Sequence, residues 1–141
     1  MAYRFQKNTE SVDWNIVSEL LYHFRLNNLD ADTQKKVFEN SYAVIFVFDD
    51  DKLIGFGRAL SDGICQAAIY NIALNEAYHG KGLGKAIINE LVEQVKGCNI
   101  ILYTHPNSIG LYEHLGFRRM KTGMALYQPR HLLKLEEMGF I

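Results

Sequence analysis

The tightest constraint on the fold is the junction Tyr78-His79-Gly80-Lys81-Gly82-Leu83-Gly84-Lys85-Ala86. The apolar, strand-like run Ile69-Tyr70-Asn71-Ile72-Ala73-Leu74 precedes it, and Leu83, Ile87, Leu91 and Val95 follow at i, i+4 spacing. A strand that passes through a glycine turn into an amphipathic helix is the first half of a crossover. The next β-like run, Asn99 to Tyr103, is then expected to pair parallel to the first. Glycines at alternate positions let the main chain approach a ligand with no Cβ in the way. Amides at a helix start have no internal partner and, with the helix dipole, favour an anion. The junction reads as a phosphate cradle, with a plain glycine-rich surface turn as the alternative.

Two familiar cradles do not fit. The ATP-type loop needs four residues between its first glycine and Gly-Lys-Ser/Thr, but Ala86 follows Gly84-Lys85 and offers no hydroxyl for magnesium. The dinucleotide fingerprint is G-x-G-x-x-G with an acidic residue about 20 positions on. Here the spacing is G-x-G-x-G, and Lys96 to Thr104 holds no carboxylate.

Composition narrows the class. A chain of 141 residues that is 48% hydrophobic is expected to be one domain, 1–141, with a substantial core. The formal charge is −1 with both signs mixed, so no basic block points to nucleic acid. No apolar run approaches membrane-span length, and Met1-Ala2-Tyr3-Arg4-Phe5 lacks the apolar core of a signal peptide. The expectation is a cytoplasmic protein, with no membrane and no nucleic-acid partner. Cys65 and Cys98 fall in strand-like runs and read as two buried thiols in a reducing compartment. The five histidines and two cysteines show no metal-ligand spacing, so no metal is expected.

The rest of the chain supplies the other elements. Ala2 to Phe5 reads as a short strand. Ile16, Val17, Leu20, Leu21 and Phe24 mark a helix over 11 to 27, capped by Thr9 or Ser11. A second helix covers Asp30 to Asn40, entered through Asp30 or Asp32. Tyr42 to Phe48 is an unbroken apolar run, a strand buried on both faces. Turns at Asp49-Asp50-Asp51 and Ser61-Asp62-Gly63 separate it from strands at Lys52 to Leu60 and Ile64 to Leu74. These strands form an antiparallel meander, and the crossover makes the sheet mixed. The crossover helix stops at Gly97. Ser108 to Leu115 is a short helix ending at Gly116. Phe117 to Met120 and Thr122 to Tyr127 are expected as a last hairpin, and Pro129 to Ile141 as a docked tail helix.

With these elements in place, the chain resembles the GNAT superfamily of acetyl-CoA-dependent N-acetyltransferases. The glycine phrase His79-Gly80-Lys81-Gly82-Leu83-Gly84 is similar to the family pattern Gln/Arg-x-x-Gly-x-Gly/Ala. Leu111-Tyr112-Glu113-His114-Leu115-Gly116-Phe117 matches Leu-Tyr-x-x-x-Gly-Phe in full. The phrase Gly57-Arg58-Ala59-Leu60-Ser61-Asp62-Gly63 also looks like a narrower group of small bacterial acetyltransferases, itself similar to plastid enzymes acting on arylalkylamines and lysines. The resemblance implies an α/β (α+β) fold, a three-layer αβα sandwich around a mixed, mostly antiparallel central sheet. It implies acetyl-CoA as cosubstrate, with a small-molecule or peptide amine as acceptor. A homodimer is left open.

Residue by residue, the resemblance implies that amides from Gly80, Lys81, Gly82, Leu83, Gly84 and Lys85 bind the CoA pyrophosphate. The main chain of Ile72, Ala73 and Leu74 would pair with the pantetheine arm like an added strand and polarise the thioester carbonyl. Tyr112 would protonate the leaving thiolate. Three positions depart from the pattern. His79 stands where Gln or Arg is usual. His105 occupies the place, seven residues before the tyrosine, where an asparagine often touches the cofactor; Asn107 is two residues out of register. Asn71 lies where the narrower group often carries an aspartate, and an amide cannot act as a base.

An alkylammonium with pKa near 10.4 is neutral in about one molecule in 2,500 at pH 7, so deprotonation costs roughly 4.6 kcal/mol. The candidates to assist are Asp62, Glu113, His105, His79 and Glu76. Asp62 doubles as a turn residue, Glu113 as a solvated helix residue, and His105 sits before Pro106 at a strand end. Tyr112 and His105 are the catalytic candidates. His79 and Asn107 join residues 72–74 and 80–85 as cofactor-binding candidates. Trp14, Tyr22, His23, Phe24 and Phe38 are candidates to line an acceptor pocket. The reading is direct acetyl transfer to a primary amine, with a non-catalytic CoA-binding domain as its rival.

Overall fold

One five-stranded sheet organises the computed structural model, which describes residues 3–141. Its strands are β1 (Tyr3–Gln6), β2 (Ala43–Asp49), β3 (Lys52–Ser61), β4 (Gln66–Leu74) and β5 (Asn99–Ile101), side by side in that order. The first four are mutually antiparallel and β5 runs parallel to β4, as the crossover requires. The expected first strand is displaced to Tyr3–Gln6, and Ala2 lies outside the described residues.

Helices cover both faces of this sheet. On one side lie α1 (Trp14–His23) and α2 (Ala31–Glu39); on the other α3 (Leu83–Gln94) packs against β2, β3 and β4. Every residue of β2 from Ala43 to Phe48 is buried. Val44, Phe46 and Phe48 join Val17, Leu21, Phe38, Leu53, Phe56 and Ala73 in the α1/α2 core. The rings of Trp14, Phe38, Phe46 and Phe56 meet at 5.6–6.2 Å. Full burial of each phenylalanine contributes about 1.5–3 kcal/mol. Phe38 is thus a core member, and Trp14 is half-buried against it, as their helical spacing allows.

The α3 side is held close by two glycines in β3. A Cβ at Gly57 would meet Ile72 Cδ1 at 2.5 Å and Leu91 Cδ1 at 2.9 Å. One at Gly55 would meet Leu74 Cδ1 at 2.9 Å and Ile87 Cδ1 at 3.0 Å. Removing these two side chains lets α3 and β4 close over β3.

Local chemistry sets the helix ends. Asp13, not Thr9 or Ser11, caps α1 by accepting from Asn15 N–H at 3.0 Å, and Ser11 holds φ +54°. The helix stops at His23 because Arg25 turns left-handed at φ +58°. Asp30 caps α2, accepting from Thr33 N–H at 2.8 Å, which holds its carboxyl below the usual range.

The chain packs as two compact units, the first running to Leu102 and the second spanning Tyr103–Ile141. The sheet and α1–α3 belong to the first. The second holds α4 (Ile109–His114) and α5 (Leu132–Glu137), each preceded by a 3₁₀ turn that starts with a proline, Pro106–Ser108 and Pro129–His131. The hairpin expected at 117–127 is absent. Phe117 instead donates its N–H to the Tyr112 carbonyl at 3.0 Å and packs edge-on against the Tyr112 ring, while Met124 and Leu126 are fully exposed. Two short β-like runs are marginal as an isolated hairpin.

The thiols also differ from expectation. Cys65 is exposed in the β3–β4 turn and Cys98 is half-buried; both are free. Cys65 lies just before β4 begins, so the strand-like run that suggested burial does not extend to it.

Candidate active site

The ladder between β4 and β5 covers only Gln66–Ala68, paired with Asn99–Ile101. β4 runs on to Leu74 beside β3, so past Ala68 it has no β5 partner on its other edge. The expected pantetheine track, Ile72, Ala73 and Leu74, lies in this stretch. A main chain open on one edge can accept an extended ligand as a further strand.

β4 then leads through a 3₁₀ turn, Glu76–Tyr78, into the glycine loop. Gly80 and Gly82 hold φ +82° and +80°, which a Cβ would strain. Gly82 is the residue before α3, and the first helical bond runs from Ala86 N–H to its carbonyl at 3.1 Å. The amides of Leu83, Gly84 and Lys85 precede that bond and have no intrahelical acceptor. A Cβ at Gly80, Gly82 or Gly84 would meet nothing within 4 Å. The protein therefore has no packing need for three glycines here. The open space suits a ligand reached by the main chain, and the pyrophosphate of CoA has that shape and charge. Lys81 and Lys85 are exposed at the same loop.

Neighbouring side chains fix the loop. Tyr78 donates its hydroxyl to Asp49 Oδ2 at 2.5 Å, tying the loop to the β2–β3 turn. That bond, with the adjacent negative charge, pushes its phenol up to about 12. Lys52 and Lys81 each lie 5.8 Å from the Tyr78 ring. His79 turns back to the strand end: Nε2 is 2.7 Å from the Leu74 carbonyl, the ring stacks on Phe24 at 6.0 Å, and its N–H bonds the Glu76 carbonyl. A ring nitrogen facing a carbonyl is the N–H tautomer donating. The ring Nε2–H and the backbone N–H of His79 are thus both used inside the strand–loop joint.

The base candidates separate clearly. Asp62 accepts from the N–H groups of Ile64, Cys65 and Gln66 and from the Cys65 thiol, so its carboxyl lies well below the usual range. It builds the β3–β4 turn and is too weak a base to take a proton. The same bond raises the Cys65 thiol. Glu76 pairs with His23 Nε2 at 2.5 Å and is held below its ordinary value. Tyr22 is exposed. Of the acceptor candidates, Phe24 lies at the loop against His79, and His23 lies at the turn before it through Glu76.

In the second unit, Tyr112 lies on α4 with its ring 5.5 Å from Phe117, and burial raises its phenol above the usual value. It stays protonated at neutral pH, as an acid must. Asn107 is exposed in the 3₁₀ turn, and the His105 ring packs edge-on to Phe140 at 5.1 Å. Glu113 faces Arg119 at 3.4 Å. Among the described residues, no group of three or more His, Cys, Asp or Glu could hold a metal ion, and no helix is long and apolar enough to cross a membrane.

Sequence reasoning passed over one constellation. Opposite Gly57, β4 places two residues, Asn71 and Ile72, because Phe56 pairs with Ala73 and Arg58 with Tyr70. This is a β-bulge, and Asn71 takes φ +59° in it. Arg58 Nε donates to Asn71 Oδ1 at 2.6 Å and Nη1 to Ser41 Oγ at 3.3 Å. Its guanidinium lies 5.3 Å from the Tyr70 ring and 5.9 Å from that of Phe38. The available signal was a single charge, Arg58, inside an otherwise apolar run.

The pattern of the Acetyltransferase (GNAT) family matches residues 9–117. The chain belongs to that family. Chloroplastic serotonin N-acetyltransferase 2 of rice (Oryza sativa subsp. japonica) is 33% identical over 144 aligned positions, covering 94% of this chain and 72% of the relative. Chloroplastic GCN5-related N-acetyltransferase 1 of Arabidopsis thaliana is 43% identical over 67, covering 45% of this chain and only 34% of the relative. The solved structure of a GNAT-family acetyltransferase from Streptococcus pneumoniae TIGR4 superposes with a TM-score of 0.76 at 20% identity, covering 91% of this chain and 99% of that one. It shares the fold: helices on both faces of a mixed sheet.

Proposed function

We propose that this protein is an acetyl-CoA-dependent N-acetyltransferase that moves the acetyl group to a primary amine by direct attack. The observation that carries the reading is the open edge of β4 ending at a glycine loop whose three glycines have no packing reason to be glycine. The family membership of residues 9–117 supports it, and because that match crosses Leu102 it also supports reading residues 1–141 as one domain. Nothing observed favours a non-catalytic CoA-binding domain.

In this mechanism the amides of residues 80–85 hold the pyrophosphate, and the main chain of Ile72–Leu74 aligns pantetheine and polarises the thioester carbonyl. The neutral amine attacks that carbon. As the tetrahedral intermediate collapses, the C–S bond breaks and Tyr112 gives its proton to the departing thiolate. His79 holds the strand end in shape through the Leu74 carbonyl. We place it in the cytoplasm, where two free thiols, Cys65 and Cys98, stay reduced.

The test is Tyr112→Phe, which keeps the ring against Phe117. Turnover of acetyl-CoA with an amine panel should fall roughly 10²- to 10⁴-fold, with a smaller change in acetyl-CoA affinity. Full turnover in a regime where chemistry limits the rate would make Tyr112 a packing residue.

A further inference from the structure

We propose that Cys65 and Cys98 form a paired-thiol modification site, which a small disulfide such as oxidised glutathione closes into a reversible bridge between the starts of β4 and β5. The pair lies outside the residues assigned to acetyl transfer.

Strand register sets the two cysteines side by side. β4 and β5 run parallel, with Gln66 opposite Asn99, Ala67 opposite Ile100 and Ala68 opposite Ile101. Cys65 and Cys98 each stand one residue before the first of these pairs. The ladder reaches them, because Asn99 N–H donates to the Cys65 carbonyl at 2.9 Å. Opposed residues of parallel neighbours point to the same face, on strands about 4.7–4.9 Å apart. A disulfide accepts Cα separations of about 4.4–6.8 Å.

The thiols also converge on one turn. Cys65 Sγ–H donates to Asp62 Oδ2 at 3.3 Å, and Cys98 Sγ lies 3.7 Å from Oγ of the adjacent Ser61. Ser61 gives its own hydroxyl proton to the Gln66 carbonyl at 2.8 Å, which leaves the Cys98 thiol as the donor to Ser61. Asp62 holds the Cys65 thiol above its ordinary value, first through that bond and then through its charge, and Cys98 adds to the rise as a close neighbour does. Cys65 is exposed and Cys98 half-buried, so a disulfide in solution meets Cys65 first and Cys98 resolves the adduct.

The exchange needs no other reactant. The Cys65 thiolate attacks one sulfur of oxidised glutathione, that S–S bond breaks, and one glutathione leaves and takes up the proton that Cys65 gave up. The Cys98 thiolate then attacks Cys65 Sγ, the mixed S–S bond breaks, and the second glutathione leaves with the Cys98 proton. Two protein thiols are oxidised, and one disulfide is reduced to two thiols. The raised Cys65 thiol keeps its thiolate scarce, so the pair answers a sustained oxidised pool and stays reduced otherwise. The bridge joins both ends of the crossover, β4, glycine loop, α3 and β5, into one covalent ring, which restricts the unfolded chain.

The experiment treats the folded, reduced protein with oxidised glutathione. Intact mass and peptide mapping should show the loss of two hydrogens and a Cys65–Cys98 crosslink, both reversed by dithiothreitol. Oxidation should raise the melting temperature by about 5 °C or more. Cys65→Ser and Cys98→Ser should each lose the crosslink and the rise, and Cys98→Ser should stop at one glutathione on Cys65. Wild-type protein that carried only glutathione adducts, that crosslinked between copies, or that reacted only in denaturant would overturn the proposal. A crosslink that lowered the melting temperature would do the same. These wild-type readings stand whether or not either variant folds.

Discussion

Gly82 and Asn71 both lie in the left-handed region, at φ +80° and +59°, within one unit of the molecule. The chain treats them in opposite ways. At Gly82 there is no side chain, nothing lies within 4 Å of where a Cβ would be, and the adjoining amides open to that space. At Asn71 a side chain is kept despite the conformation, and Arg58 ties it down at 2.6 Å. Left-handed backbone costs a residue with a Cβ about 1–2 kcal/mol, less for asparagine, whose short amide can bond locally, and here that bond is the one to Arg58. The contrast separates two uses of left-handed backbone. On the proposed reading glycine uncovers main chain for the cofactor at Gly82, whereas at Asn71 the bulge holds a side chain in place.

The largest effect is expected where main chain is covered. Gly84 sits in the first turn of α3 without a positive φ, and a Cβ there meets nothing. Gly84→Val should leave the fold intact and weaken acetyl-CoA binding about 100-fold, or about 2.7 kcal/mol, by calorimetry. Gly82→Val is the less clean partner, because strain at φ +80° adds a loss of stability to the loss of space. Unchanged affinity in Gly84→Val would move the cradle elsewhere and remove one side of the comparison.

The same contrast explains what could be read from sequence. Glycine spacing and apolar periodicity are local signals, so the loop, the crossover, the parallel β5 and the buried β2 were legible. Asn71 was visible only as a residue that cannot act as a base. Its partner Arg58 lies 13 positions away, and a bulge is a register shift between two strands that neither strand announces alone. The packing role of Gly55 and Gly57 was not legible for the same reason: the side chains that require them come from β4 and α3. The 117–127 hairpin failed in the other direction. Its β-forming residues were local, but the partner edge that would make them strands was not theirs to supply.

A smaller effect should appear in stability at the bulge. Asn71→Ala keeps the left-handed strain and removes the bond to Arg58, so urea unfolding should show a loss of about 1–3 kcal/mol. Asn71→Gly loses the same bond but relieves the strain, and should recover about 1 kcal/mol of that loss. Both should leave acetyl-CoA affinity close to wild type, since the loop's amides are untouched. If Ala and Gly were equally stable, Asn71 would carry no strain and its kinship with Gly82 would be only nominal.

The smallest effect is expected at His105, and the reason returns to what the bulge presents. Asn71 and Arg58 supply donors, Asp62 is held by the β3–β4 turn, and Glu76 is held by His23, so none of these removes the amine's proton. The expected route for the proton is then water, in which case kcat/KM for an alkylamine should rise about tenfold per pH unit from 7 toward the amine's own pKa. Tyr112 sets the upper limit. Burial raises its phenol, so the protonated acid is present below the ordinary phenol pKa near 10 and is lost only as pH climbs through its higher folded value. The alkaline fall should therefore begin above about pH 10. His105→Ala should shift this profile by less than about threefold, because the ring is packed edge-on against Phe140 at 5.1 Å. A limb near pH 6–7, where histidine ordinarily titrates, that vanished in His105→Ala would reverse the assignment. The base would then come from the second unit, and His105 would replace water as the first group to take the amine's proton.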